Sequence, residues 1–433
     1  MKSQFAERAL EKVVDLLESR FNLDRGFARG FILMFGGYAI TNVILFLANL
    51  IVARTFGPSR YGQLIVIQTI SNILVIPMLF GQDVVMIRHA ADSGKHTSVV
   101  LSSALLVAVT MCISVLTVIL GLPSISKWAN TSPFLVVLGL LWAVFLTMKY
   151  WGGAVYRALK QFGQLASIDI IAASVVLVGV IVLWLSNRLE LSFYLGVIGL
   201  SCGLYLTGMR LLRKYQDTKK LWAEMCNWLR PLMVWGSIYM VTGVSGFFVN
   251  GADRIILNKY WGSEEVGLYG VYMSAASQLL LPFSLIFVNA LFPHVAASRD
   301  KQSYLNMVNN FLKRFWWLIA GFNLLVTWII VSLYGPGFQV RTLQMSVLSV
   351  AVCLNLWWQL RVPLMSSIDL YSFIYGTVSA VFISVASLYL SWQIIPILGI
   401  WGASGVIAVT ALASFLAQEW YFRRFKYKLV GNR

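Results

Sequence analysis

The chain has 433 residues, of which 59% are hydrophobic and 12% are charged, and its formal net charge is +17. Soluble domains carry roughly 25% charged residues, so this chain has too few polar side chains to cover its surface in water. The composition excludes a soluble enzyme or a soluble binding domain and predicts an all-α integral membrane protein.

The first predicted element is an amphipathic helix over residues 4–21, where apolar residues recur at helical spacing between charged ones. We expect it to lie flat at the cytoplasmic face of the membrane, and a partner-binding helix is the alternative. It belongs to a cytoplasmic segment, 1–29, which lacks the compact apolar core of a cleavable signal peptide.

Apolar stretches of roughly 20 residues, enough to cross about 30 Å of hydrocarbon, recur along the rest of the chain. The twelve predicted spans are 30–56, 61–86, 98–121, 133–156, 165–186, 191–211, 231–260, 264–292, 312–334, 343–362, 371–392 and 397–421. They divide into two six-helix lobes, 30–211 and 231–421, which are joined by a cytoplasmic linker, 212–230, and followed by a basic cytoplasmic tail, 422–433.

The Lys and Arg residues are distributed unevenly between the two sides of the predicted membrane. Of the 34, 27 fall in segments on the side of the two termini and 7 fall on the opposite side. The positive-inside rule therefore predicts that both termini are cytoplasmic. The basic excess indicates topology rather than a nucleic-acid-binding patch, and we expect no nucleic acid partner.

Two segments of the chain, 50–82 and 255–287, share their glycine and proline positions at one offset of 205 residues. The matched pairs are Gly57 with Gly262, Gly62 with Gly267 and Pro77 with Pro282. Because a backbone cannot freely exchange Gly or Pro for other residues, the matches indicate a duplicated fold. Six spans in each lobe give both lobes the same orientation, so we expect a pseudo-twofold axis along the membrane normal.

Enzyme classes find little support in the sequence. The predicted loops are short, and the chain shows no Ser/His/Asp set, no glycine-rich phosphate loop and no metal-ligand cluster. We therefore expect a transporter without a cofactor. A drug or organic-cation antiporter is the main alternative. A membrane polysaccharide polymerase, which would need a large loop outside the bilayer, is a weaker one.

Three sequence segments carry a family resemblance. They are LFLANLIVARTFGPSRYGQL near the first span, ADRIILNKYWGSEEVGLYGVYMSAAS at 252–277, and IPILGIWGASGVIAVTALAS at 395–414. In this order they resemble the Wzx-type repeat-unit (O-antigen) flippases, polysaccharide transporters of the multidrug/oligosaccharidyl-lipid/polysaccharide exporter superfamily.

That resemblance implies an inner-membrane flippase that moves an undecaprenyl-pyrophosphate-linked oligosaccharide from the cytoplasmic to the outer leaflet. It also implies two lobes around a central cavity that alternate between two openings. The expected partners are the lipid-linked oligosaccharide, the bilayer and, as candidates, other membrane proteins of polysaccharide assembly. The sugar stays undefined.

Charged and polar residues inside spans are costly, and they are therefore candidates for the substrate site. The predicted substrate-binding residues are Arg254, Arg361, Lys149, Asp253, Asn49, Asn250, Asn42, Arg157 and Arg88. Arg254 is the strongest candidate because a guanidinium group can bind two phosphate oxygens at once. It also corresponds to Asn49 at the 205 offset, so both lobes have a polar residue at the equivalent position. The alternative for Arg254 is a contact with Asp253 at the outer interface.

The other candidates also have alternatives. Arg361 and Lys149 lie near cytoplasmic span ends, where they would otherwise extend to lipid headgroups, and Arg88 and Arg157 would otherwise set topology. Asn42, Gln68 and Gln278 are predicted either to hydrogen-bond sugar hydroxyls or to form hydrogen bonds between helices.

Conformational change and energy coupling have their own candidates. Pro77 and Pro282 are predicted hinges for alternating access, or residues that shape the two lobes. Candidate carboxylates for ion coupling are Asp83, Asp169, Asp253, Asp369 and Glu419. Sodium, protons and no coupling all stay open.

Overall fold

The computed structural model describes residues 25–93, 96–211, 218–278, 280, 283–284, 301–338, 341–366 and 370–425, and among these no residue is in a β-strand. The helices are α1 (Arg25–Leu79), α2 (Gln82–Ser93), α3 (His96–Leu120), α4 (Leu122–Ala129), α5 (Pro133–Ala158), α6 (Phe162–Leu185), α7 (Leu191–Gly203), α8 (Thr218–Asn250), α9 (Ala252–Ser277), α10 (Lys301–Leu333), α11 (Thr342–Ser366), α12 (Leu370–Leu398) and α13 (Ile400–Phe425). A 3₁₀ helix, Leu204–Leu211, continues α7. The predicted amphipathic helix, Pro282 and Asp369 lie outside the described residues.

Ten stretches of the described residues are long and apolar enough to cross a membrane. Two of them, Phe35–Ala90 and Leu221–Ser277, contain 56 and 57 residues, which is more than twice the ~20 residues that one crossing needs. Counting each of these two as a pair gives the twelve predicted crossings. The prediction of an all-α membrane protein is confirmed, and the residue limits of the two lobes stay a prediction.

The chain reverses direction at Gly57, within α1, and at Gly262, within α9. Their backbone angles are nearly the same, with φ 67° and ψ 175° at Gly57 and φ 83° and ψ 176° at Gly262. Asn49 Nδ2 is 3.0 Å from Tyr61 Oη, although twelve residues of continuous helix would separate their backbones by about 18 Å. The two glycines therefore close tight antiparallel turns at equivalent places in the two halves, and a left-handed φ favours glycine there.

The two glycine turns also contact each other. A Cβ on Gly62 would lie 1.6 Å from the carbonyl oxygen of Ser263, and a Cβ on Gly267 would lie 2.1 Å from that of Pro58. Ser263 is the equivalent of Pro58 at the 205 offset, so the contact is reciprocal. A reciprocal contact is what a twofold axis produces, and it supports the predicted duplication.

Two helix breaks fall at places that hydropathy alone does not indicate. The predicted span 231–260 is interrupted at Gly251 (φ −145°, ψ −27°), where α8 ends and α9 begins. Pro77 remains inside α1, and the chain breaks three residues later, at Phe80 and Gly81, which both have positive φ. Breaks of this kind interrupt no apolar run, and a hydropathy pattern therefore passes over them.

Apolar side chains pack the interior and also cover the outside. The largest buried cluster contains residues of both halves, among them Leu64, Tyr269 and Leu348. On the outside, Leu120, Trp317 and Ile397 are 75%, 82% and 75% exposed. Exposed apolar surface of this extent matches lipid as the solvent.

Candidate functional site

Three cavities lie along the contact between the first half (residues 25–211) and the second half (218–425). We call them the polar cavity, of about 310 Å³, the apolar cavity, of about 530 Å³, and the arginine cavity, of about 230 Å³. All three are lined by residues from both halves. They are candidate ligand sites, because membrane proteins built from two repeats commonly bind their ligands between the repeats.

The polar cavity is lined mainly by α1, α5, α6 and α7. Its polar lining consists of Thr41, Asn42, Asn49, Tyr61, Gln68, Lys149, Asp169, Tyr194, Ser201, Tyr205, Ser274 and Gln278, together with the indole of Trp142. This set provides charged groups, amides and hydroxyls within one cavity, and it is suited to a hydroxyl-rich ligand.

One wall of the polar cavity carries both charge signs. The Tyr205 hydroxyl donates a hydrogen bond to the Asp169 carboxylate, and Lys149 Nζ lies 5.7 Å from the centre of the Tyr205 ring. A cation at this distance from an aromatic face is attracted to it. Tyr205 therefore holds the carboxylate and the ammonium next to each other, with Lys149 still lining the cavity.

Two buried polar atoms beside this wall have no hydrogen-bond partner among the described residues. They are Thr41 Oγ1 and Trp142 Nε1, and both residues line the polar cavity. An unsatisfied buried polar group costs about 1–3 kcal/mol. Both atoms are therefore unpaired polar groups in the wall of the polar cavity, and neither is accessible from it in this conformation.

Asn49 links the two halves at the edge of the polar cavity. Its Nδ2 donates to the hydroxyl of Tyr61 at 3.0 Å and to that of Tyr334, in the second half, at 2.9 Å. Nearby, the Arg54 guanidinium donates to the carbonyl oxygen of Leu333 at 2.5 and 2.9 Å. Asn49 is therefore held in a bonded position across the interface.

The apolar cavity adjoins the polar cavity. The two share Asn42, Phe46 and Gln278 as lining residues. The rest of the apolar cavity is formed by Phe35, Tyr38, Ala39, Val43, Leu280, Phe283, Phe311, Ile319, Phe322, Val326, Ile330 and Leu356. One continuous region between the halves thus changes from a polar to an apolar lining.

The arginine cavity lies between the second part of α1 and the α8–α9 break. It is lined by Thr69, Asn72, Ile76, Gly243, Phe247, Asn250, Gly251 and Arg254. Asn49 and Arg254, which correspond at the 205 offset and are both predicted to bind substrate, line two different cavities. Asn250 donates from Nδ2 to the Gly246 carbonyl at 3.0 Å and accepts from Asn355 at 3.2 Å.

Arg361 lies in a buried network away from the three cavities. It is 1% exposed and donates from Nε to Asn309 Oδ1 at 2.7 Å. Its guanidinium also pairs with Glu419 at 3.3 Å and stacks 4.3 Å from the centre of the Trp357 ring. These contacts give Arg361 and Glu419 a structural role, and a contact with substrate stays a prediction.

The remaining basic candidates do not line any of the three cavities. Arg88 stacks 4.3 Å from the centre of the Trp235 ring, and Arg157 donates from Nε to the Gly153 carbonyl at 3.4 Å. Asn42 lines both adjoining cavities, where its Nδ2 donates to the Tyr38 carbonyl at 2.7 Å. Substrate binding by Arg88 and Arg157 also stays a prediction.

Sequence reasoning missed several residues that line the cavities. Tyr61, Tyr205 and Trp142 count as apolar in a hydropathy pattern, which hides their polar atoms. Thr69 and Asn72 are polar residues inside a predicted span, so the rule that selected Asn42 and Asn49 would also have selected them.

The fold defines an all-helical multi-pass membrane protein with cavities between its two halves. A family model described as "Polysaccharide biosynthesis protein" matches residues 27–298. The chain belongs to that family. No curated protein matches it. Solved transporters share this fold, which agrees with the expectation that the chain is not an enzyme.

Solved structures support the same fold. An inward-facing multidrug resistance MATE family transporter of the MOP superfamily has a TM-score of 0.61 and 13% identity, and the match covers 93% of this chain and 100% of that chain. The lipid II flippase MurJ in an inward closed conformation has a TM-score of 0.56 and 15% identity, and the match covers 90% of this chain and 87% of that chain. A mutant of the MATE transporter VcmN of Vibrio cholerae has a TM-score of 0.58 and 12% identity, and the match covers 92% of this chain and 97% of that chain. Identities this low show the fold alone.

Proposed function

We propose that this protein is a flippase for a polyprenyl-diphosphate-linked oligosaccharide of the Wzx type. It takes up the lipid-linked repeat unit from the cytoplasmic leaflet and releases it in the outer leaflet of a bacterial cytoplasmic membrane. The supporting observation is the shared lining of the polar and apolar cavities. A substrate with a sugar head and a polyprenyl tail needs these two environments side by side.

The energetic problem of flipping lies in the head group. Moving an unpaired hydroxyl or amide from water into hydrocarbon costs several kcal/mol, and a bare anion costs far more. In the polar cavity Lys149 offers a charge-assisted bond to an anion, while Asn42, Gln68 and Gln278 offer amides to sugar hydroxyls. The aromatic and aliphatic side chains of the apolar cavity receive the first part of the tail.

The charge distribution supports one orientation for this transport. With 27 of 34 Lys and Arg on the side of the termini, the termini are cytoplasmic and the glycine turns face the outer side. Lys149 lies nine residues from the end of α5 at Ala158, towards the cytoplasmic side, where the head group enters. In this proposal the two halves alternate about their contact at Gly62 and Gly267, and Pro77 and Pro282 act as hinges.

Flipping by the purified protein tests the proposal. Vesicles containing the protein receive a polyprenyl diphosphate that carries a fluorescent oligosaccharide, and a membrane-impermeant glycosidase reports which leaflet holds the sugar. We expect wild-type protein to exchange the sugar between leaflets, and Lys149→Gln to slow exchange about tenfold because it removes a charge-assisted bond. Lys160→Gln is the matched control, since Lys160 is exposed and outside the three cavities.

The same vesicles separate the alternatives. Wild-type protein that leaves the sugar in its original leaflet and instead exports an organic-cation dye would reject the proposal in favour of a drug antiporter. Lengthening of the oligosaccharide in these vesicles would favour a polymerase.

A further inference from the structure

Two helices, α4 of the first half and α10 of the second, end in the same way. α4 ends at Ala129 and is followed by Asn130, which has φ 48°. α10 ends at Leu333 and is followed two residues later by Gly335, which has φ 102°. Asn130 and Gly335 are equivalent at the 205 offset. Because the last carbonyl groups of a helix have no partner within it, the two halves present equivalent main-chain acceptors.

A side chain of the first half binds the end of α10. Arg54 lies three residues before Gly57, and its guanidinium donates two hydrogen bonds to the Leu333 carbonyl, at 2.5 and 2.9 Å. A cation at the C-terminal end of a helix is also attracted by the helix dipole. We call the contact between Arg54 and Leu333 the first latch.

A side chain of the second half binds the end of α4 in the equivalent place. Asn258 donates from Nδ2 to the carbonyl of Ala129 at 2.9 Å and to that of Asn130 at 3.3 Å. In return, Asn130 Nδ2 donates to the carbonyl of Lys259, the residue equivalent to Arg54, at 3.5 Å. We call the contact of Asn258 with Ala129 and Asn130 the second latch. Each half therefore holds the other by a helix end.

Each latch lies between one cavity and the glycine turns. Asn49 lines the polar cavity, and Arg54 follows it by five residues in the direction of Gly57. Arg254 lines the arginine cavity, and Asn258 follows it by four residues in the direction of the other turn. Four or five residues are about one helical turn. The two cavities are equivalent as well, because Asn42, Leu45, Phe46 and Asn49 of the polar cavity correspond at the 205 offset to Phe247, Asn250, Gly251 and Arg254 of the arginine cavity.

We infer that the two latches hold the halves together on the side of the glycine turns, and that both latches have to release before the cavities open to that side. The inference rests on the proposed function for the movement of the halves. Both latches join opposite halves and are related by the same axis, so a symmetric separation of the halves breaks them together. Since the acceptors are main-chain carbonyls at helix ends, rotation of an acceptor side chain cannot preserve the bonds while the halves move.

The two latches differ in their surroundings. Arg54 is exposed, so water competes for its donors, and its charge strengthens the bonds that it makes. Asn258 is 6% exposed, so its release would leave a buried amide and buried carbonyl groups without partners, which is costly. Charge in the first latch and burial in the second therefore give the two latches comparable effects.

Distances between two spin labels on the full-length protein in nanodiscs test the inference. The labels are attached at Arg188→Cys and Gln393→Cys, which are exposed and equivalent at the 205 offset, after the exposed Cys112 and Cys226 have been replaced by Ser. Pulsed electron paramagnetic resonance then gives the ratio of long to short distances without any substrate.

We expect Arg54→Ala and Asn258→Ala each to raise the ratio of long to short distances about fivefold, as the loss of about one hydrogen bond predicts. The combined variant should raise the ratio about 25-fold, because one movement breaks both latches and their contributions add. Arg54→Lys, which keeps the charge with fewer donors, should raise it less than Arg54→Ala.

Two matched controls should leave the ratio unchanged. Arg60→Ala removes an exposed arginine near the same turn, and Ser332→Ala removes a hydroxyl that donates within α10, to the Trp328 carbonyl at 2.9 Å. An unchanged ratio in the combined variant overturns the inference, and so does a rise in only one of the two single variants or an equal rise in the controls. If Asn258→Ala does not fold, Asn258→Leu, which fills the same space without a donor, replaces it under the same criteria.

Failure of this inference is distinguishable from failure of the proposed function, because the distances are measured without the sugar lipid. Wild-type protein that does not flip the sugar lipid rejects the function, whereas unchanged distances in the combined variant, together with flipping by the wild type, reject the latches alone.

Discussion

The polar cavity and the arginine cavity occupy equivalent positions in the two halves, yet their equivalent residues are bonded differently. Asn49 donates to Tyr61 and Tyr334 and is fixed between the halves. Its counterpart Arg254 has no partner among the described residues. The comparison shows that the duplication has retained the backbone turns while the side chains of the two interfaces have diverged. Repetition of a fold therefore does not imply repetition of a site.

Both cavities depend on the contact between the two halves at Gly62 and Gly267. Substitutions at these glycines have the largest expected effect. Gly62→Ala or Gly267→Ala places a Cβ within 1.6 or 2.1 Å of a backbone oxygen, so the two halves must move apart. We expect a loss of stability of about 3 kcal/mol, visible as a lower thermal unfolding midpoint in detergent. Gly163→Ala is the control, because a Cβ there has no atom within 4 Å. Equal unfolding midpoints for Gly62→Ala and Gly163→Ala would refute the close contact between the two halves at Gly62.

The Arg361–Glu419 pair tests whether a buried arginine outside the cavities is structural, in contrast to Arg254. Glu419→Gln removes the charge that compensates Arg361, which is 1% exposed. Breaking a buried pair is expected to cost about 3 kcal/mol, measured by thermal unfolding, without a specific loss of lipid phosphate binding. Lys313→Gln should cost under about 1 kcal/mol, because the Lys313 side chain is 61% exposed. A stable Glu419→Gln variant that loses lipid binding would instead make Arg361 a ligand.

The hydrogen bond between Asn49 and Tyr334 gives the test with the smallest expected effect. Tyr334→Phe removes the hydroxyl that accepts from Asn49 at 2.9 Å, and one such hydrogen bond is worth about 1 kcal/mol. We expect a small fall in the unfolding midpoint and a change in flipping rate, because the bond joins the two halves. Tyr389→Phe, at a residue 65% exposed, is the control for loss of a hydroxyl. If Tyr334→Phe and Tyr389→Phe behave alike, Asn49 is not fixed by this bond.

Much of the fold was readable from the sequence because its signals are local. Lipid as the solvent makes every span a long apolar run, and the turns at Gly57 and Gly262 need a residue without a Cβ. The break at Gly251 escaped prediction because the apolar pattern continues across it. A glycine inside a span does not by itself show whether the helix continues.

The site was readable only in part. Polar residues inside spans identified Lys149, Asn42 and Arg254, all of which line cavities in the structure. Their division between two cavities follows from the predicted axis, since a twofold rotation sends equivalent positions to opposite sides, but the sequence alone does not show how far from the axis each side chain lies. The pairing of Arg361 with Glu419 joins residues far apart in sequence, and a single sequence has no local signal for such a contact.

The contact between Gly62 and Gly267 limits how the two halves can evolve. The space that a side chain at either glycine would need is filled by main chain of the other half, and main chain cannot be replaced by a smaller group. A larger residue on one side therefore has no single compensating substitution on the other. At this point the two copies of the ancestral unit have to change together or stay as they are, however far they diverge elsewhere.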